Sequence, residues 1–100
     1  MNISTFSGSV TIRERIAIPA GAIASVKLVA QDGEVLAATA VPVNGVPAEF
    51  DLYADPELLK HAKKLFFWAY LRSEVGSWGT LDLVPAKTDA TDVVLARIPE

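Results

Sequence analysis

The first part of the chain alternates apolar and polar residues with the period of two that is typical of half-buried β-strands. The even positions of this segment carry the apolar side chains of Val10, Ile12, Ile16 and Ile18. The pattern predicts one strand, or two collinear strands, over residues 10–18. Pro19 and Gly21 end it, because proline removes a hydrogen-bond donor and glycine permits a turn.

Further apolar runs predict six more strands and one short helix. The turn signals Asp32-Gly33 and Asn44-Gly45 are dipeptides that favour tight hairpins. Asp55 is a helix-capping residue and Pro56 suits the first helical position, so we expect a helical insert near residues 55–62. The six predicted strands cover residues 24–31, 35–41, 46–52, 64–72, 78–84 and 93–98.

Seven short strands separated by turns indicate an all-β fold. A chain of 100 residues with 51% hydrophobic content can bury one core and has no room for two. We therefore expect a single domain over residues 1–100, an antiparallel β-sandwich of immunoglobulin-like or transthyretin-like build.

The predicted strand 64–72 is apolar on both faces. Phe66, Trp68 and Tyr70 share one face, and the residues between them share the other. Only one face of a sandwich strand points into the core, so the second face requires cover by the helical insert, by a loop or by another molecule. Tryptophan and tyrosine are enriched at interface hot spots. We therefore predict an interaction surface formed by Phe66, Trp68, Tyr70 and Trp78.

The tripeptide Arg13-Glu14-Arg15 is a candidate polar cluster. Strict alternation places Glu14 on the same face as Ile12 and Ile16, toward the core. A buried carboxylate is costly unless it is paired. Glu14 should therefore have an arginine or lysine partner, or a bulge or strand end should turn it outward.

Few residues of the chain are suited to catalysis. There is no cysteine, which excludes disulfides, thiolate metal sites and a thiol nucleophile. The single histidine, His61, lies among lysines and has no second histidine as a metal partner. No carboxylates show the spacing of a calcium loop, and no glycine-rich phosphate loop is present. We predict no enzyme activity, no cofactor and no metal.

Charge and hydropathy restrict the partners. The formal net charge of −3 provides no basic field for nucleic acid, so we predict no nucleic-acid binding. The longest apolar run, residues 65–71, is much shorter than the roughly 20 residues of a membrane-spanning helix. We therefore predict no membrane insertion by this chain. Its first residues do not form an export signal.

Several segments resemble one family of bacterial lipoproteins. The opening segment 8–22 (GSVTIRERIAIPAGA) resembles the first strand of YbaY-type lipoproteins, which are grouped with the YscW-type lipoprotein chaperones, or pilotins, of type III secretion. The similarity continues through Gly45-Val46-Pro47, Asp55-Pro56 and Ala69-Tyr70-Leu71-Arg72, and it spans roughly residues 6–98. It implies a small β-sandwich without known catalytic residues, tethered to the bacterial envelope through a lipidated cysteine.

Two functional hypotheses follow. The first is a non-catalytic binding or chaperone-like module with a protein partner, and the second is a structural module that self-associates as a homodimer. The location depends on what precedes Met1. A removed signal and lipidated cysteine would place the protein in the envelope, whereas a native start at Met1 would place it in the cytoplasm.

Overall fold

The computed structural model describes residues 3–87 and 91–99, which form eight β-strands and one short helix. Five of the seven predicted strands match observed strands to within two residues at each end, whereas the predicted strand 10–18 is displaced and the predicted strand 78–84 is replaced by two short strands. Their bounds are β1 (Ser4–Ile12), β2 (Ala22–Ala30), β3 (Val35–Val43), β4 (Ala48–Ala54), β5 (Leu65–Ser73), β6 (Gly76–Gly79), β7 (Val84–Pro85) and β8 (Thr91–Arg97), and the helix is α1 (Pro56–Leu59).

The strands form one curled sheet rather than the predicted sandwich. Its order is β3-β2-β5-β6-β8-β1-β4, and β7 pairs with β5. Strand β8 prevents a division into two sheets, because it pairs with β6 through its last residues and with β1 through its first five. The end strands β3 and β4 have Cα atoms within 8 Å of each other. The all-β class is confirmed, but the architecture is a nearly closed barrel.

The sheet is also not purely antiparallel. Strand β1 pairs with β8 in parallel, with Gly8 opposite Thr91 and Ile12 opposite Leu95. The other pairs of strands in the described residues are antiparallel. Parallel neighbours require a long crossover, and here the whole chain from β2 to β7 separates the two strands. Local sequence patterns do not reveal such a pairing.

The two predicted tight hairpins have different outcomes. Asp32-Gly33 does join β2 to β3, and Gly33 has a φ of +89° that glycine adopts easily. Asn44-Gly45 does not form a hairpin, because β3 pairs with β2 while β4 pairs with β1. Residues 44–47 instead carry the chain from one edge of the curled sheet to the other, and they include a cis bond before Pro47.

The first strand begins and ends earlier than predicted. Strand β1 buries Phe6, Val10 and Ile12 on its inner face, and the chain leaves the sheet after Ile12. Ile16 is 40% exposed, so the alternation continues in sequence beyond the end of the strand. The segment 13–19 is irregular.

The core fills the interior of the barrel. Its largest fully buried side chains are those of Trp78, Phe67 and Leu28. The Phe67 ring lies edge-on to Phe50, with ring centroids 5.3 Å apart, and edge-on to Phe6 at 6.5 Å. Such edge-to-face pairs add about 0.5–1.5 kcal/mol beyond the burial of apolar area. The inward-facing side chains of β5 therefore lie in the middle of the core.

The helical insert is shorter than predicted. The Asp55 side chain accepts a hydrogen bond from the backbone N–H of Glu57 at 2.9 Å and so caps α1. After the helix, the Gln31 side chain accepts hydrogen bonds from the N–H groups of Lys63 and Lys64 and directs the chain into β5. No helix in the described residues is long and apolar enough to cross a membrane.

Candidate functional site

The two faces of β5 differ as the alternation predicts. Phe67 and Leu71 are fully buried in the barrel, together with Ala69 between them. Phe66, Trp68 and Tyr70 point to the outside and are half-buried. These three residues are called the aromatic face below. They lie on a strand that pairs on both sides, with β2 on one edge and with β6 and β7 on the other.

Neighbouring side chains hold the rings of the aromatic face in place. The rings of Trp68 and Tyr70 are nearly parallel, at an interplanar angle of 9° and a centroid separation of 6.3 Å. The ammonium of Lys27, directly opposite on β2, lies 4.8 Å from the Trp68 ring centroid. The Tyr70 hydroxyl donates a hydrogen bond to the Ser77 Oγ at 3.1 Å. These contacts hold the rings in fixed orientations.

A groove continues from the aromatic face at the start of β5. It has a volume of about 540 Å³, and its lining combines apolar and basic residues. Phe66 forms one side and Pro85 of β7, its partner in the sheet, forms another. The other lining residues are Ala62, Lys63, Lys64, Leu65 and Ala86. The aromatic face and the groove form one continuous surface on the outside of β5.

Trp78 does not belong to this surface, although the sequence analysis included it. Its side chain is fully buried in the core. The reason is register: Trp78 lies opposite the inward-facing Leu71, whereas Gly79 lies opposite the outward-facing Tyr70. Directly opposite residues of an antiparallel pair point to the same side of the sheet. Of the four residues predicted to form an interaction surface, Phe66, Trp68 and Tyr70 face outward together.

The Arg13-Glu14-Arg15 segment contributes one polar contact to the core. Glu14 follows the end of β1 and is half-buried, while Arg13 and Arg15 are exposed. The Glu14 Oε2 accepts a hydrogen bond from the Trp78 indole N–H at 2.7 Å. The partner of Glu14 is therefore a buried indole rather than the arginine or lysine that burial of a carboxylate suggests.

Arg97 also contacts Trp78, and the sequence analysis did not single out this residue. Its guanidinium lies 5.3 Å from the Trp78 ring centroid, and it donates a hydrogen bond to the carbonyl of Val75 at 2.9 Å. Trp78 and Arg97 are paired across β6 and β8. This pairing connects distant parts of the sequence, and no local pattern indicates it. Glu14 and Arg97 thus hold the largest core side chain, that of Trp78, from two directions.

The remaining candidates for chemistry have no organised surroundings. His61 is exposed in the segment between α1 and β5. Among residues 3–87 and 91–99, no group of three or more histidine, aspartate or glutamate side chains could hold a metal ion. The aromatic face and its groove are the part of the predicted interaction surface that lies on the outside of the described structure.

Comparison with known proteins agrees with the resemblance seen in the sequence. A family model described as type III secretion system lipoprotein chaperone (YscW) matches residues 1–94. The fold is similar to that of an alternative pilotin from the type II secretion system of Vibrio cholerae, with a TM-score of 0.86 and 25% sequence identity. That similarity covers 99% of this chain and 100% of the pilotin chain. No curated protein matches the sequence significantly. The chain belongs to the YscW family of type III secretion system lipoprotein chaperones.

Proposed function

We propose that this protein is a non-catalytic, chaperone-like module that holds a segment of a partner protein against the aromatic face. The observation that carries the proposal is the ordered, half-exposed pair of Trp68 and Tyr70 on the central strand β5. Membership of a family of lipoprotein chaperones supports the same role. A chaperone of this kind acts by binding alone, so it requires no catalytic group.

The energetics favour the aromatic face as a binding site. Tryptophan and tyrosine dominate interface hot spots because each ring offers a large contact area at a small entropic cost. The two rings are already stacked, and Lys27 contacts the tryptophan from β2. Hydrogen-bonded strands on both sides of β5 keep this surface rigid.

The family and the similar structure suggest the cellular setting. The family is named for type III secretion, and the similar structure is a pilotin of a type II secretion system. We therefore propose that the partner is a component of a bacterial secretion machinery and that the protein works at the cell envelope. Assembly with a second copy through the aromatic face is the competing hypothesis, and sedimentation velocity separates the two.

Replacing Trp68 with alanine tests the proposal. Peptides that bind the wild-type chain are first selected from a random display library, and their affinities are then measured for each variant. We expect Trp68→Ala to weaken binding by about 2 kcal/mol, roughly thirtyfold, as for a hot-spot aromatic residue. The matched control is Tyr53→Ala, because Tyr53 is an aromatic residue that is 64% exposed on β4, outside the aromatic face.

Two results would contradict the proposal. One is equal binding by Trp68→Ala and the wild-type chain, provided that both show the same cooperative unfolding transition. The other is a stable dimer of the wild-type chain that dissociates in Trp68→Ala, since the face would then serve self-association. A monomer that loses its peptides only in Trp68→Ala would support the proposal.

A further inference from the structure

Charged residues are distributed unequally around the barrel. In the described structure, the strands β2, β3, β5, β6 and β7 contain no aspartate or glutamate. The outer faces of β4 and β8 instead carry Glu49, Asp51 and Asp92. Ser7 and Ser9 of β1 donate hydrogen bonds to Asp51 and Asp92, at 2.5 Å and 2.8 Å. One side of the barrel is thus acidic, and the side with the aromatic face carries no strand carboxylate.

Lysines gather on the side whose strands contain no carboxylate. Four of the five lysines of the chain lie at the aromatic face or its groove. Lys27 contacts the Trp68 ring, Lys63 and Lys64 line the groove, and Lys87 follows the groove residue Ala86. The fifth, Lys60, is paired with Glu57 on α1 at 2.9 Å.

These lysines are not neutralised within the described part of the chain. Lys60–Glu57 is the one salt bridge found among residues 3–87 and 91–99. Asp32 and Glu34 lie in the turn next to Gln31, but Asp32 accepts the backbone N–H of Glu34 and neither forms an ion pair with a lysine. The overall charge of −3 repels an anion at long range. The local excess of positive charge therefore determines which side of the barrel an anionic partner approaches.

We infer that the aromatic face and its groove bind an acidic segment of a partner protein, in which aspartate or glutamate residues lie beside apolar ones. The inference rests on the proposed function and specifies the chemistry of the partner. The apolar side chains of the segment cover Phe66, Trp68 and Pro85. Its carboxylates lie within reach of Lys27, Lys63 and Lys64.

The shape of the site favours a protein segment over an anionic membrane surface. Interfacial membrane binding inserts protruding apolar side chains into the headgroup region. Here the rings are half-buried, the Trp68 ring is contacted by Lys27, and the lysine-lined part of the site is a concave groove. Half-buried rings that a lysine contacts do not insert deeply into a headgroup layer, whereas a chain segment can lie along them and along the groove.

Charge-neutralising variants test the inference. The double variant Lys63→Gln/Lys64→Gln removes two positive charges from the groove, while the backbone N–H groups that bind Gln31 remain. The control Arg13→Gln/Arg15→Gln also removes two positive charges. Both arginines are exposed and follow the C-terminal end of β1. The probes are the peptides selected from the random library, together with copies in which asparagine or glutamine replaces each aspartate or glutamate.

We expect the selected peptides to be rich in aspartate and glutamate and to bind the lysine variant about tenfold more weakly than the wild-type chain. The arginine variant should bind like the wild-type chain. The difference should disappear near 1 M salt, where the screening length falls from about 8 Å to about 3 Å. The amide copies of the peptides should bind the wild-type chain at least as weakly as the acidic peptides bind the lysine variant, because they also lose the attraction of Lys27.

The contradicting results separate the two proposals. Neutral or basic peptides that bind the lysine variant as well as the wild-type chain, but lose affinity for Trp68→Ala, would overturn the acidic partner and leave the proposed function intact. Peptides indifferent to Trp68→Ala would overturn the proposed function. Binding to phosphatidylglycerol-containing vesicles that depends on Lys63 and Lys64, without selection of acidic peptides, would overturn the inference in favour of a membrane.

Discussion

Replacing Trp78 with alanine should lower the free energy of unfolding by about 3–5 kcal/mol, the range for truncation of a large core aromatic residue. Trp78 is the largest fully buried side chain, with an exposed fraction of 0%. The substitution leaves a cavity, removes the indole donor from Glu14 and removes the ring beneath Arg97. Small domains have total stabilities of about 5–15 kcal/mol, so this one substitution removes a large share of the stability.

Two further variants separate the contribution of the aromatic ring from that of the indole N–H. Urea unfolding, followed by circular dichroism, measures the free energy of unfolding of all three variants. Trp78→Phe keeps an aromatic ring but loses the N–H, so we expect it to lose less than Trp78→Ala. Glu14→Gln keeps an acceptor for the indole and should cost below about 1 kcal/mol. A loss of less than about 1 kcal/mol in Trp78→Ala would contradict the burial of the indole.

Gly8→Ala should lower the free energy of unfolding by about 3 kcal/mol or more, beyond the usual cost of overpacking. Gly8 lies on β1 where β8 pairs in parallel, opposite Thr91. A methyl group there would overlap the Thr91 carbonyl oxygen and approach the Phe50 ring to 2.8 Å. The first obstacle is backbone of a neighbouring strand, so a rotamer change cannot relieve it.

Gly79→Ala is the matched control for Gly8→Ala. Gly79 is also a strand glycine with a φ outside the left-handed region, and its added methyl group would meet the end of the Ile98 side chain at 3.1 Å. A flexible side chain can move aside, so we expect a loss of below about 1 kcal/mol. Equal stability losses in the two variants, measured by thermal unfolding, would contradict the close approach of β1 and β8.

The positions of five strands could be predicted because they depend on local alternation and turn residues, whereas the predictions for residues 10–18 and 78–84 failed because the alternation continues beyond the ends of the strands. The β2–β3 hairpin follows from Asp32-Gly33, and the start of α1 follows from Asp55 and Pro56. The sheet topology could not be predicted in this way. The β1–β8 pairing joins residues 83 positions apart, as in the contact of Ser9 with Asp92, and depends on the global packing of the barrel.

Only part of the candidate site could be predicted from the sequence. Alternation along β5 predicted Phe66, Trp68 and Tyr70, because consecutive side chains of a strand must point to opposite faces. The same alternation could not place Trp78, whose direction is set by its register with Leu71. The lysines come together at the groove because the segment between α1 and β5 lies beside β7. No local sequence pattern reveals this arrangement.

The two indole N–H signals in the NMR spectrum of the isotope-labelled chain test the central claim most directly. The chain has two tryptophans, and a Trp68→Phe variant assigns their signals. Trp68 lies on the aromatic face, whereas the Trp78 N–H is bonded to Glu14 inside the barrel. If the partner covers the aromatic face, adding a selected peptide will shift the Trp68 signal and leave the Trp78 signal in place. An unchanged Trp68 signal under saturating peptide would contradict the claim.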